Sequence, residues 1–380
     1  MRHVPTLRHI CPIAAALTVA LALPAPGVAW ADSPPTVMRP PSGLSALSWM
    51  VADASTGQIL AEHDAHRRLP PASTLKTLFA VTVLPHLSAH KVHLVKESDL
   101  YGMGEGSSQV GVVPGLRYAA DDLWRGVFLR SGNDAVHVLA AMNGGWQHTT
   151  RQMQATAKRL GARDTHVVSP DGYDAEGQVS SAQDLVLFAR AGLTNRAFAR
   201  YCSTAVAKFP AGMDSHGRSG APFEIQNTNR LLTGTPDVAP YPGLIGVKNG
   251  YTTNAGNTLV TAAHRKRHTL IVSVMNPQAG SVYEESRALL DWGFSAVGHV
   301  KPVGFLPRSR TRSISAAGAA HRPAAARAVA PAVAPAVAPA GPPAQRPAEK
   351  DNPVPGIAIA GALLVPLIAS LWLLRRRPKS

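Results

Sequence analysis

The consecutive prolines Pro70-Pro71, and the run that follows them, constrain this chain more tightly than any other stretch. Proline fixes φ, lacks an N–H and pushes the residue before it out of the α region, so no helix crosses this point. From Thr74 to Leu84 the chain has neither Gly nor Pro and is mostly apolar, which predicts a buried helix. Pro85 should end or kink it. Ser73 is thereby expected at the helix N-terminus, where backbone N–H groups lack partners and the dipole favours negative charge. Lys76 lies three residues on, one turn up the same face, so its amine can reach the Ser73 hydroxyl.

A serine before a helix is more often a plain N-cap. Beside a desolvated lysine it becomes a nucleophile with its base attached. Ser-x-x-Lys alone occurs by chance in many chains, so the residues that accompany it have to decide.

The formal charge of +15 over 380 residues suggests nucleic acid at first sight, but its distribution argues otherwise. Eleven of the Lys and Arg residues follow residue 306, against only Glu349 and Asp351, which leaves residues 32–306 mildly basic. Charge concentrated in a tail points to a membrane or an anionic wall, and no nucleic-acid partner is expected. Arg2 and Arg8, the apolar run Ile13 to Leu23 and the small-x-small triplet Ala29-Trp30-Ala31 read as a secretory signal peptide over 1–31. A short spacer, 32–42, would follow it. At the other end, residues 354–374 are uncharged and long enough to span ~30 Å of hydrocarbon. Arg375-Arg376-Arg377-Pro378-Lys379 then puts the tail 375–380 in the cytoplasm. Residues 307–353 hold three tandem Ala-Val-Ala-Pro copies and read as an extended, disordered linker. The expected layout is a body outside the cell membrane, held by one C-terminal span. If Cys11 leaves with the leader, Cys202 is a lone small core residue and no internal disulfide can form.

The body, 43–306, opens with strand-like runs Leu47 to Asp53 and Gln58 to Glu62 around a Gly57 turn, a predicted hairpin. Helix-like pieces follow at Ala120–Leu129, Asp134–Met142, Thr149–Leu160 and Ala182–Leu193. Three apolar runs, Leu244 to Val247, Thr258 to Ala263 and Thr269 to Met275, read as late strands, and Val282 to Phe294 as a last helix. Early strands, a helical middle and late strands predict one sheet interrupted by a helical insertion.

Three constellations lie on this frame in order: Ser73-Thr74-Leu75-Lys76, then Ser131-Gly132-Asn133, then Lys248-Asn249-Gly250 followed by Tyr251-Thr252-Thr253. Each triplet alone reads as an ordinary turn. Together they form the Ser-x-x-Lys, Ser-x-Asn, Lys-x-Gly series of penicillin-recognising serine enzymes. The chain resembles the serine-type D-alanyl-D-alanine carboxypeptidases among the low-molecular-mass penicillin-binding proteins, over roughly residues 43–306. The segments Tyr118 to Leu123, Gly161 to Gly172, Asn227 to Leu232, Ala255-Gly256 and Leu290 to Phe294 are also similar to that family, and the linker and single span resemble its actinobacterial members. Two features depart from the pattern. Asn249 stands where the family usually has Thr, and the linker replaces the frequent β-rich domain.

The resemblance implies an α+β fold of the penicillin-binding protein/β-lactamase type, an antiparallel sheet flanked by helices with a helical insertion lobe. It implies that Ser73 attacks the D-Ala–D-Ala carbonyl while a neutral Lys76 takes its proton. Ser131 would relay a proton to the leaving D-alanine, and Asn133 would hold the substrate amide and orient Lys76. The backbone N–H groups of Ser73 and Tyr251 would meet the oxyanion. Lys248 would bind the terminal carboxylate, helped by Asn249 or Thr252, with Gly250 between them. The expected partners are peptidoglycan stem peptides ending in D-Ala-D-Ala and β-lactam antibiotics. No cofactor is expected. His63 with His66, or His86 with His90, have metal-like spacing but no third ligand, so no metal is expected either. The loop Gly102-Met103-Gly104-Glu105-Gly106 lacks the strand-to-helix setting of a nucleotide fingerprint and is expected near the site. A β-lactamase shares the motif order, but no Glu-x-x-Leu-Asn pattern supplies a deacylating base between Ser131 and Lys248. A non-catalytic wall-binding relative is the other alternative, raised by Asn249.

Overall fold

The computed structural model describes residues 38–307. The leader, nearly all of the linker, the span and the basic tail expected from the sequence lie outside the described residues. Among those described, no helix is long and apolar enough to cross a membrane.

The chain opens with the hairpin β1 (Ala46–Asp53) and β2 (Gln58–His63), then enters α1 (Lys76–Val83). A helical lobe follows: the short hairpin β3 (Val92–Leu94) and β4 (Arg117–Ala119), then α2 (Ala120–Leu129), α3 (Asn133–Met142) and α4 (Trp146–Leu160). Next come α5 (Ala182–Leu193), α6 (Arg196–Ser203), a second hairpin of β5 (Val206–Phe209) and β6 (Phe223–Gln226), and α7 (Arg230–Thr233). The chain then returns to the sheet with β7 (Leu244–Thr252), β8 (Gly256–Arg265) and β9 (His268–Pro277), and ends in α8 (Val282–Ala296) and β10 (Gly304–Phe305). The antiparallel main sheet runs β10-β2-β1-β9-β8-β7, so the first hairpin and the last three strands form one layer around the inserted lobe.

The inner strands are covered on both faces, which is why they read as near-continuous apolar runs. Met50 and Ala52 of β1 pack into the core shared with α1, α5 and the lobe, while Val51 faces the core under α8. α8 lies close to the sheet because Gly293 carries no side chain: a Cβ there would stand 2.8 Å from Leu270 Cδ1 and 3.0 Å from Val51 Cγ1. Cys202 is a buried free thiol at the end of α6, and burial pushes its pKa up to about 12.

The lead helix differs from expectation at its start. Residues Ala72–Leu75 form a 3-10 turn, and the α-helix proper begins at Lys76 and ends at Val83. Pro70 and Pro71 hold the entering chain, Ala72 takes φ +49°, and the Thr74 hydroxyl donates to the Pro71 carbonyl, which tightens the first turn. Ser73 therefore sits inside a tight turn continuous with α1, not at the α-helix N-cap.

Candidate active site

The Ser73 turn is wedged between the sheet and a loop from the lobe. A Cβ on Gly250 of β7 would stand 2.7 Å from the Ser73 backbone nitrogen, and one on Gly172 would stand 2.1 Å from the Ala72 carbonyl oxygen. Only glycine lets β7 and the 172 loop approach this closely, so Gly250 serves the site by having no side chain. The Thr258 hydroxyl of β8 donates to the Pro71 carbonyl at 3.1 Å and ties the turn to the sheet.

Lys76 is 1% exposed, and its Nζ lies 2.7 Å from Ser73 Oγ. It also donates to the backbone carbonyl of Asp171 at 2.6 Å. Burial lowers its pKa to about 8, against the opposing pull of the Asp171 and Asp134 carboxylates. A neutral amine held this way has one N–H on the Asp171 carbonyl and its lone pair free for the serine proton. Lys248 of β7 is equally buried, and its pKa falls well below the ordinary lysine value through burial and the neighbouring Lys76 charge.

Ser131 and Asn133 stand at the α2–α3 junction. Ser131 takes φ +58°, and its buried Oγ has no hydrogen-bond partner among the described residues. Asn133 is the first residue of α3, its amide nitrogen donates to Ser107 Oγ at 3.0 Å, and its amide oxygen has no partner among the described residues. The resemblance assigned the orientation of Lys76 to Asn133. In the structure, the protein groups bonded to the Lys76 amine are Ser73 and the Asp171 carbonyl.

Sequence reasoning missed Asp134. Its buried carboxylate accepts the backbone N–H groups of Val110, Gly111, Val112 and Ala135. An acidic residue in the first turn of a helix reads as an ordinary partner of the dipole, which hid its role as anchor of the 107–113 loop. Asp171 was also missed, because the group that holds Lys76 is a backbone carbonyl and carries no residue signature. The Asp171 carboxylate is itself fixed by the Ser169 hydroxyl and the Tyr173 N–H. Behind it stands His137, its Nε2 4.0 Å from Asp171 Oδ2 and its ring against Trp146.

On β7, the side chains of Asn249 and Thr252 both have partners within the protein. Asn249 Oδ1 accepts from the Thr228 hydroxyl at 3.0 Å and from Lys248 Nζ at 3.3 Å. The Asn249 amide and Arg230 partly offset the burial that raises the Tyr283 phenol. The Asn249 side chain thus reaches the segment before α7. Thr252 donates to Asp174 at 2.7 Å. Lys248 Nζ donates to the Asn249 carbonyl at 2.8 Å. Tyr251 is 67% exposed, its ring at the rim.

Beside Ser73 lies a cavity of about 230 Å³ lined by Ser73, Asn133, Tyr173, Tyr251 and Thr252, among others. A larger space of about 600 Å³, between Ser55, Arg190 and Pro307, contains neither Ser73 nor Lys248. Among the described residues no group of His, Cys, Asp and Glu is arranged to hold a metal ion. His66 is instead bonded to Asp164, and His63 stacks on Trp49.

A buried lysine on a serine, a second serine and an asparagine at a helix start, and a second buried lysine on an adjoining strand define a serine acyl-transfer enzyme. The comparisons narrow that class. Residues 35–279 match the family model Peptidase_S11, D-alanyl-D-alanine carboxypeptidase. The D-alanyl-D-alanine carboxypeptidase DacB2 of Mycobacterium tuberculosis is 36% identical over 276 residues, 70% of this chain and 89% of that protein. The Escherichia coli carboxypeptidase DacC is 31% identical over 68% of this chain but 64% of its own length, so the match leaves over a third of that relative uncovered. A solved D-alanyl-D-alanine carboxypeptidase from Mycobacterium tuberculosis superimposes with a TM-score of 0.63 at 35% identity, covering 72% of this chain and 100% of that one. The Streptomyces K15 DD-transpeptidase gives 0.63 at 25% identity, covering 68% and 99%. The chain belongs to the Peptidase_S11 family of serine D-alanyl-D-alanine carboxypeptidases. Its fold is that of the penicillin-binding proteins, with the antiparallel sheet and flanking helices expected from the sequence.

Proposed function

We propose that Ser73 is the nucleophile and neutral Lys76 its base in removing the terminal D-alanine from peptidoglycan stem peptides. The observation that carries this is the buried Lys76 amine, 2.7 Å from Ser73 Oγ and anchored by the Asp171 carbonyl. Ser73 Oγ attacks the carbonyl of the penultimate D-alanine, and the proton passes to Lys76. The oxyanion is met by the backbone N–H groups of Ser73 and Tyr251, fixed donors that need no reorganisation. As the C–N bond breaks, Ser131, whose hydroxyl has no partner among the described residues, relays that proton from Lys76 to the departing D-alanine amine. Asn133 offers its free amide oxygen to the N–H of the donor peptide. The substrate carboxylate is drawn by Lys248, which a bound anion would help to protonate. Asn249 acts on Lys248 and Thr228 from behind. Water then attacks the acyl-enzyme and regenerates Ser73.

β-Lactams present the same carbonyl beside a carboxylate, so they should acylate Ser73 and remain there. The test is the intact mass of the purified chain after exposure to benzylpenicillin, beside Ser73→Ala. A persistent single adduct in the parent, absent in the mutant together with at least ~10³-fold slower D-alanine release, is the expected result. Rapid turnover of the drug would make the protein a β-lactamase. A folded Ser73→Ala protein that still releases D-alanine would remove Ser73 from the role.

The body works outside the cell membrane, exported by a leader over 1–31 and tethered by the linker 307–353 and a span at 354–374. The charge–apolar–small order of the leader and the basic tail after the span support this placement.

A further inference from the structure

The glycine-rich loop 102–106 and Tyr173 take no part in the chemistry above, yet they meet across the mouth of the Ser73 cavity. Tyr173 Oη donates to the Glu105 carbonyl at 2.7 Å. The tyrosine ring lies on the bare backbone of Gly104, where a Cβ would stand 2.4 Å from ring atoms Cε1 and Cζ. Glu105, Gly106, Ser107 and Ser108 line one wall of the cavity, and Gly172, Tyr173 and Asp174 the facing one.

Both walls are pinned away from this crossing. Asp134 holds the N–H groups of Val110, Gly111 and Val112, and the Asn133 N–H donates to the Ser108 carbonyl. On the other side Asp171 takes the Tyr173 N–H, and Asp174 is tied to Thr252 and to the Asn254 N–H. Between the pinned parts, Gly102 and Gly106 have φ of +79° and +72°, with open space where a Cβ would be. They bound Met103–Glu105 as two unobstructed pivots. With the rim joined, the cavity of about 230 Å³ is smaller than the roughly 300–1,000 Å³ of sites that enclose whole ligands. It takes the end of a peptide and leaves no enclosed room for what precedes it.

We propose that the Tyr173–Glu105 clasp is a specificity determinant for the acyl donor. Joined, it admits a D-Ala-D-Ala end carried on a slim residue, and it must swing open on Gly102 and Gly106 for a bulky one. This rests on the assignment of the cavity to D-Ala-D-Ala peptides. Tyr173 acts by shaping the entrance, not by touching the reacting atoms.

The experiment compares two tripeptides, acetyl-Gly-D-Ala-D-Ala and diacetyl-L-Lys-D-Ala-D-Ala, with the full-length chain, Tyr173→Phe and Gly104→Ala. Tyr173→Phe removes only the hydroxyl, and Gly104→Ala pushes the ring off the loop from the opposite side. Each should raise the ratio of kcat/KM for the lysine donor over the glycine donor by about tenfold, through KM more than kcat. A general loss of structure would lower both donors together and leave the ratio unmoved. D-Alanine release from the glycine donor by the parent reads the activity itself, separately from the ratio. A ratio unchanged or lowered in a Tyr173→Phe protein that keeps the parent's rate on the glycine donor overturns the proposal, and if Gly104→Ala does not fold, the phenylalanine variant decides alone.

Discussion

Replacing Asp171 by Asn tests the acid–base assignment more directly than removing the base. The substitution keeps the backbone carbonyl that holds Lys76 Nζ, and its amide oxygen can still accept from Ser169 and from the Tyr173 N–H. Its amide N–H would face His137 Nε2, which has no hydrogen-bond partner among the described residues. What disappears is one negative charge near Lys76. That charge favours the ammonium form, so its loss must lower the lysine pKa from about 8. Nearby unit charges at an effective dielectric of ~20 interact by a few kcal/mol. At about 1.4 kcal/mol per tenfold, and discounting for screening, the rate midpoint should fall by about one pH unit. In the parent, only about a tenth of the lysine is the free base at pH 7, and the rate should climb towards a plateau above pH ~8. In Asp171→Asn the climb should come about one unit earlier, towards a plateau a few-fold lower, because a weaker base takes the serine proton less readily. His137, held below its ordinary value by burial, contributes only further to the acid side. The assay is the second-order rate of Ser73 acylation by a chromogenic β-lactam across pH, with D-alanine release in parallel. A midpoint that stays put or moves upward would refute the idea that Lys76 is the base restrained by Asp171.

Asn249→Thr removes an acceptor for Thr228 and Lys248 and should alter acylation by no more than about tenfold, the ~1.4 kcal/mol of one modest hydrogen bond; an inactive parent made active by this change would mean that the natural protein only binds. Asp134→Asn leaves part of a four-N–H cradle without its charge and should lower stability by roughly 2 kcal/mol, read by chemical denaturation; an unchanged midpoint would show that the loop holds without it. Deleting residues 354–380 should release active protein into the medium, since the linker composition offers no core contacts; a misfolded product would make the span part of the folded body.

Much of the scaffold could be read from local pattern. Ala120–Leu129 and Ala182–Leu193 are helices over the very spans the apolar periodicity marked. α4 starts three residues earlier than expected, at Trp146, because Gly145 with φ +101° begins it in place of a polar cap. β7 was expected to stop at Val247 but continues to Thr252, since pairing with Gly256 to Val260 overrides a turn-like Lys-Asn-Gly composition. The hairpins β3–β4 and β5–β6 are too short to show alternation and exist through their pairing alone. In the site, the Ser-x-x-Lys spacing anticipated the Lys76–Ser73 bond. What the ordered triplets could not name were backbone groups and partners distant in sequence: the Asp171 carbonyl, Thr228 behind Asn249, Asp174 on Thr252.

The two borders of the main sheet are treated differently. On one side the two-residue β10 covers β2, a short cap of the kind that discourages further strands from joining. On the other, β7 is the last strand, and its first half is closed by α6, whose Cys202 carbonyl would lie 2.6 Å from a Cβ on Gly246. Towards Tyr251 and Thr252 the border opens into the Ser73 cavity. An enzyme that recognises an extended peptide by its backbone has to leave such a border bare, and the same bareness would welcome any unfolded chain. The protein confines that hazard to a few residues at the bottom of a cleft, where a substrate's free end can enter but the side of another sheet cannot.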